Sequence, residues 1–323
     1  TATPSPNEFL ELINYSHFLG VMQRGQCLAQ PVTAKVLTPI GWKLMGDIQA
    51  GDDVISVDGT ATKVVGVYPQ GKKKVFRVLL SDKSSTRATE EHLWFTHTVL
   101  ERNKRRKSGQ HEKLACGSVK TTEQIRNTIM YSKEKNHRLP AVSPVRFQET
   151  PVGIDPWLMG ALIGNGCLRE TSVTFTTADE WTIQEVRRIL VVHDLILKKI
   201  MHVRKDGNTN YDYSIVNETR KGIGRGVFAN EVLTEVKRTG LVGKRSWEKF
   251  VPNEYLVNSP EVRLAVLQGL VDTDGTVTED GQCVFTTASK QLAKDVQFIT
   301  QSLGGRAVIR TKQGRKPNGD DGR

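Results

Sequence analysis

Apolar positions change their spacing several times along this chain, and each change predicts a new element. Over residues 7–15 they recur at helical spacing, which predicts an amphipathic helix behind a proline-led start. From residue 33 to residue 95 the pattern alternates and is punctuated by turns. Residues 36–42 read as a strand and a tight turn, and residues 53–57 as a strand that closes on the turn pair Asp58-Gly59. Residues 63–68 and 75–80 read as two more strands. Short strands separated by glycine turns predict a compact all-β domain.

After Pro151 the pattern is mixed, and it repeats. An apolar helical run at residues 158–166 is followed by a strand at 173–178 and a helix at 181–192. Roughly 110 residues later the same order returns at residues 267–275, 283–288 and 290–302. Phe175-Thr176-Thr177-Ala178 in the first copy is matched by Phe285-Thr286-Thr287-Ala288 in the second. The duplicated order predicts an α/β domain with pseudo-two-fold symmetry.

Composition sharpens this picture. At 323 residues and 37% hydrophobic, the chain is long enough to bury more than one core. It has no apolar run of membrane-spanning length and no secretory pattern, so a cytoplasmic protein is expected. Because the first residue is Thr and not Met, the start is expected to lie inside a longer gene. The net charge of +11 predicts a polyanionic partner, nucleic acid first. That charge is uneven: residues 99–150 hold twelve Lys or Arg against five Asp or Glu, and so carry seven of the eleven net charges. Arg102, Lys104, Arg105, Arg106 and Lys107 form the densest run, which predicts a phosphate-contacting arm. Cys27, Cys116, Cys167 and Cys283 lie far apart with no CxxC pair, which argues against a zinc cluster and for reduced thiols.

Candidate chemistry lies in the repeats and at one cysteine. Gly160 and Gly164 in the first repeat, and Gly269 and Thr273 in the second, put small residues four apart on one helix face. Two such faces let helix backbones approach closely. Asp274 falls at the predicted end of its helix, where a carboxylate opposes the helix dipole. A bound Mg²⁺ accounts for it, and two such helices side by side give the layout of metal-assisted phosphodiester cleavage.

These segments resemble the LAGLIDADG motifs of dodecapeptide (DOD-type) homing endonucleases. Lys249-Phe250-Val251-Pro252 and Leu303-Gly304-Gly305 resemble two further blocks of that family as it occurs within inteins. The resemblance implies a repeated αββαββα fold and a saddle of strands in the major groove of double-stranded DNA. It also implies a monomer, Mg²⁺ at Asp274 and at the equivalent residue of the first repeat, and a lysine, Lys249, that assists cleavage. The first repeat departs from the pattern, because Asn165 stands where the family has an acid. Asparagine offers an oxygen but no charge, so the nuclease is expected to be impaired, strand-selective or inactive. Restoring the acid with Asn165→Asp is expected to raise cleavage by at least about tenfold.

The texture of the chain breaks at Cys27. Cys27-Leu28-Ala29, followed by strands, resembles the opening of the Hint domain of inteins, and Thr89-Glu90-Glu91-His92 resembles its Thr-x-x-His block. To splice, the Cys27 thiol must attack the Gln26 carbonyl and turn that amide into a thioester. An amide needs a proton for the leaving nitrogen and hydrogen bonds for the oxyanion. His92 is the candidate acid/base, and Thr89 the residue that orients the scissile peptide.

The expected organisation is therefore residues 1–26 as N-extein, 27–98 as an incomplete all-β Hint-type splicing domain, 99–150 as a basic connector that contacts DNA, and 151–323 as an endonuclease domain lacking its last strand. The closing His-Asn pair and the following nucleophile of an intein do not occur, so the expected self-processing stops at release of the N-extein. The expected partners are double-stranded DNA at the insertion site and the protein's own exteins. Two other readings use the same residues: a decayed LAGLIDADG protein that only binds DNA, and a free-standing homing endonuclease with an unrelated N-terminal domain.

Overall fold

Residues 9–14, 29–107, 117–203, 209–217, 230–279 and 281–312 are described by the computed structural model. The chain divides into two units, Thr1–Phe147 with Gly304–Val308, and Gln148–Leu303 with Ile309–Arg323.

The first unit opens with β1 (Phe9–Asn14), β2 (Ala29–Pro31), β3 (Lys35–Thr38) and β4 (Gly41–Leu44). Next come β5 (Asp53–Ile55), β6 (Ala61–Gly71), β7 (Val75–Leu79), β8 (Ser85–Thr89) and β9 (Leu93–Thr96). Then follow α1 (Val99–Lys107), β10 (Ser118–Thr121), α2 (Thr122–Asn127), β11 (Met130–Tyr131) and β12 (Glu134–Lys135). One sheet has the order β2-β1-β6-β5, and the other strands form antiparallel pairs. Val32, Met45, Ile48, Val54 and Val64 are its buried core. The Asp58-Gly59 turn is present, with Gly59 at φ +81°. Hydrogen bonds from Ser56 and Thr60 hold the Asp58 carboxyl below the usual carboxylate range.

Two expectations change here. Residues 9–14 form a strand, not a helix, paired antiparallel with β2 and β6. Six residues are too few for apolar spacing to separate the two states, and the long partner strand β6 decides. Residues 99–147 are also largely folded into this unit. β10 pairs with β9, Val99 N–H donates to Asn136 Oδ1 at 3.1 Å, and His97 and Arg138 exchange backbone bonds of 2.9 and 3.0 Å. Charge density says where a side chain prefers to lie, not whether its backbone is paired; Lys104 is exposed on α1 and Lys135 on β12, which pairs with β11.

The second unit runs α3 (Pro156–Asn165), β13 (Gly166–Leu168), β14 (Val173–Thr176), α4 (Glu180–Leu190), β15 (Leu195–Val203), β16 (Thr209–Asn217) and α5 (Glu231–Arg238). That is one complete αββαββα set. After the short α6 (Asn253–Leu256), the order begins again with α7 (Pro260–Asp274), β17 (Gly275–Val277), β18 (Cys283–Phe285) and α8 (Lys290–Ser302). The hairpins correspond in register: Gly166 faces Phe175, as Gly275 faces Phe285. Local sequence starts each long helix in the same way. Asp155 and Ser259 cap α3 and α7, and Pro156 and Pro260 occupy their first turns.

The first-copy sheet has the order β13-β14-β16-β15, antiparallel throughout. Val173, Phe175, Tyr213 and Ile215 point from it into one core shared with Leu158, Leu162 and Ile163 of α3 and Val266 and Leu270 of α7. Glu235, itself 5% exposed, ties three elements together. It accepts from Arg238 Nε at 2.7 Å, from the Tyr255 hydroxyl at 2.9 Å and from Gly153 N–H at 3.2 Å. The Arg238 guanidinium holds its carboxyl below the usual range, against the opposing effect of burial.

Candidate active site

The site is built where α3 and α7 touch. A Cβ on Gly160 would lie 2.2 Å from the Val266 carbonyl oxygen, and one on Gly269 would lie 2.0 Å from that of Trp157. A Cβ on Gly164 would lie 2.2 Å from Thr273 Oγ1. The two small-residue faces are thus each other's partners. Because Gly160 meets Val266 and Gly164 meets Thr273, the helices run in the same direction. Their last residues, Asn165 and Asp274, therefore emerge at one end, each followed by glycine.

Lys249 reaches this end from the segment between the repeats. It is 6% exposed, and its ammonium donates to the carbonyl oxygens of Ile163 (2.8 Å), Gly164 (3.1 Å) and Gly166 (2.8 Å). The first two are carbonyls of the last turn of α3, where the helix has no N–H left to offer them and its dipole favours a cation, and the third belongs to the capping residue that follows. Three acceptors match the three donors of an ammonium. Burial pushes the Lys249 amine below its ordinary range, while neighbouring Asp274 pulls it back up. Burial likewise pushes the Asp274 carboxyl up, and Lys249 draws it down. Ser289 Oγ donates to Lys249 O at 2.6 Å, and Val251 N–H donates to Asp295 at 2.9 Å, so α8 holds the lysine segment in place.

The amide of Asn165 donates to the carbonyl of Thr176, which turns its nitrogen toward β14. Thr176 Oγ1 in turn donates to Asp212 Oδ1 at 2.5 Å. Asp272 is occupied elsewhere, accepting from Trp157 Nε1 at 2.8 Å. Nothing in the sequence pattern alone marked the links of Thr176 to Asp212 and of Trp157 to Asp272. Thr176 left a trace in the sequence as part of the repeated Phe-Thr-Thr-Ala, and Asp272 lies in the second repeat's helical run.

Asn165 Oδ1 and the Asp274 carboxylate are hard oxygen donors, and the set fits Mg²⁺. Among the described residues no group of three or more His, Cys, Asp or Glu is placed to share an ion. A cation held here would complete its shell with water and phosphate oxygens, as Mg²⁺ habitually does.

The other candidate residues lie in the first unit. Thr89, at the end of β8, and His92, just past it, are 1% and 6% exposed. His92 N–H donates to Thr89 O at 3.3 Å, and its ring stands edge-on to Trp94 with centroids 4.7 Å apart. The Thr89 hydroxyl is buried with no hydrogen-bond partner among the described residues. Cys27 lies outside the described residues. A second histidine that the sequence reading passed over, His137, lies between the hydroxyls of Thr96 and Thr128 at 3.1 and 2.9 Å, and burial pushes its imidazole below the usual range. Within the predicted arm, Arg102 donates to the carbonyls of His97 and Asn136 at 2.8 Å each, so its guanidinium braces the unit from within. Lys104 is exposed, and the side chains of Arg105, Arg106 and Lys107 lie outside the described residues.

The second of the two helices lies in a segment that matches a known family. Residues 261–322, which begin in α7, match the family model of the LAGLIDADG-like domain. The chain is 25% identical over 290 residues to the replicative DNA helicase DnaB of Mycobacterium intracellulare, covering 87% of this chain and 43% of that protein. It is 28% identical over 181 residues to the replicative DNA helicase DnaB of a Nostoc species, covering 53% of this chain and 20% of that one. To the homothallic switching endonuclease of Saccharomyces cerevisiae it is 23% identical over 174 residues, covering 50% of this chain and 29% of that protein. The chain therefore spans less than half the length of each of these relatives. No helix among the described residues is long and apolar enough to cross a membrane.

Proposed function

We propose that this chain is an intein carrying a LAGLIDADG homing endonuclease that cuts double-stranded DNA with Mg²⁺ at the paired ends of α3 and α7. The observation that carries the reading is the glycine-mediated contact between the helices, which delivers Asn165 and Asp274 to one end beside Lys249. The cation would be held by Asp274 and Asn165, and would supply Lewis-acid stabilisation of the phosphate and an activated water. Asp274 supplies the only side-chain charge of that pair. Asn165 supplies a neutral oxygen, and this difference between the halves favours nicking of one strand over concerted cleavage. Lys249 fixes the end of α3 on which Asn165 stands. In the first unit, Cys27 attacks the Gln26 carbonyl with His92 as acid/base and Thr89 as the orienting residue. The exposed Lys104 with Arg105, Arg106 and Lys107 contacts phosphates, and Arg102 anchors the helix that carries them.

The span of similarity to a replicative helicase, over most of this chain but under half of that protein, supports an element housed in a larger host of that kind. The test uses the full chain and a plasmid bearing an uninterrupted replicative-helicase gene. Mg²⁺-dependent nicking or cleavage at one site, abolished by EDTA and by Asp274→Ala, is the expected result. Specific binding without any strand scission would favour instead a protein that reads DNA and no longer cuts it, the reading Asn165 supports. Self-processing is tested separately by adding a thiol and weighing the products. Release of residues 1–26, lost in Cys27→Ala, is expected, and its absence would remove the splicing half of the proposal.

A further inference from the structure

The short helix α2 is tied at both ends, and one of the ties titrates. At its start, Thr122 N–H and Thr122 Oγ1 both donate to His92 O, at 2.9 and 3.3 Å, and Glu123 N–H donates to Glu90 O at 3.1 Å. Trp94, the ring that His92 stands against, donates its indole N–H to Thr122 Oγ1 at 2.9 Å. The turn from Glu90 to His92 therefore rests on the first turn of α2, through its backbone and through Trp94.

At its far end α2 rests on His137. Thr128, which follows the helix, sends its hydroxyl proton to Gln124 O at 2.6 Å. Thr128 Oγ1 is then an acceptor toward His137 Nε2 at 2.9 Å, so the bonding network assigns the ring proton to Nε2. Nδ1 accepts in turn from Thr96 Oγ1 of β9, at 3.1 Å. The neutral ring thus fits its seat, donating on one side and accepting on the other. The charged ring does not. With both nitrogens protonated, Nδ1–H meets the Thr96 hydroxyl proton, which must turn away in a place where Thr96 is 0% exposed. Asn136 Nδ2 also donates to Thr128 O, at 2.9 Å, and this tie does not titrate, so a second ring proton loosens the seat without undoing it.

The groups around the ring act in the same direction. Burial pushes the imidazole below its ordinary 6.5, Lys120 of β10 and Arg102 of α1 add to the fall, and Thr128 and Glu101 of α1 draw against it. A folded-state value below the unfolded one means that the tie is intact above the ordinary histidine range and is lost as pH falls through the folded value.

We infer that His137 is a positioning residue of the first unit: its neutral ring seats the end of α2, and with it the turn that carries His92, and a second ring proton loosens that seat. This rests on the reading of His92 as the acid/base of self-processing.

The test uses the full chain with its His137→Gln and His137→Ala variants, from about pH 8 down to about pH 5. Glutamine can offer an N–H and an oxygen without titrating. Melting curves first establish that each variant is folded. Amide hydrogen exchange, corrected for the pH dependence of exchange itself, reads the protection of α2 and Thr128. The wild type is expected to lose about fivefold in protection on acidification, His137→Gln to hold steady, and His137→Ala to have lost it already at about pH 8. Thiol-induced release of residues 1–26 is read as the ratio of wild type to His137→Gln. That ratio should be near one at about pH 8 and about threefold lower at about pH 5. Wild-type protection of α2 that is equal at both ends of the range, or that falls as much in His137→Gln, overturns the inference. If glutamine prevents folding, the wild-type exchange profile alone decides. A fall in protection with an unchanged release ratio overturns the positioning role. A wild type that releases nothing at any pH removes the self-processing reading and the positioning role with it, and exchange still decides whether His137 seats α2.

Discussion

Lys249 is a buried cation held by three backbone carbonyls. Its ammonium satisfies two carbonyls of the last turn of α3 and that of Gly166, which caps the helix. Removing it strands buried acceptors, so Lys249→Ala should lower stability by about 3 kcal/mol in urea unfolding. It should also loosen the residue that follows, Asn165. That residue gives a second prediction. Asn165→Asp restores a carboxylate and should raise Mg²⁺-dependent cleavage about tenfold, measured as loss of supercoiled plasmid. The same change gives up the amide donor to Thr176, so it should cost about 1 kcal/mol of stability. Equal cleavage by the two proteins would show that Asn165 contributes nothing to the reaction.

At the scale of elements, the central contact is α3 against α7, and it exists because two glycines let backbone meet backbone. Gly160→Ala or Gly269→Ala would drive a methyl to within 2.2 or 2.0 Å of a carbonyl oxygen, and no flexible side chain is available there to give way. Each should destabilise by about 2–3 kcal/mol in thermal or urea unfolding. Because both act on one interface, the double variant should cost less than the sum. A small effect of either would mean that the helices separate without penalty, and would break the link between the motif and the site. The same contact shows what spacing foretold. Small residues four apart did mark one helix face, and the repeated helix, strand, helix order is found at nearly the predicted places. The N-terminal run at residues 9–14 went the other way, because a short segment takes the state of the partner it meets, and β6 lies far from it in sequence.

For the whole molecule, charge and titration set the conditions of stability and binding. Glu235 joins α5, α6 and the entry to α3, and its folded-state pKa lies below its unfolded value. Its contribution is therefore fully present above the ordinary glutamate range and is lost as pH falls through that range toward the folded value. Unfolding free energy should drop over this acidic window in the wild type, and Glu235→Gln should flatten that part of the curve at a cost in stability near neutral pH. The net charge of +11 predicts DNA affinity that falls about a thousandfold between about 50 and 200 mM salt. An affinity that barely moved would argue against a phosphate-contacting arm.

By itself, the sequence determined what depends on near neighbours and on repetition. Turn glycines and alternation act over a few positions, so the Asp58-Gly59 turn and the duplicated α/β order were legible, whereas the start of α7 at Pro260, ahead of the run read at residues 267–275, was not. So were Asn165, Asp274 and Lys249 as candidates, because each occupies a marked place in a motif. Tertiary structure alone decided how they are used. Lys249 turns its three donors onto the carbonyls ending α3, Arg102 braces its own unit instead of facing outward, and Thr176 joins Asn165 to Asp212. Each of these depends on distances between residues 5 to 86 positions apart. No local pattern encodes such distances, because they are fixed only when separate elements pack into one core.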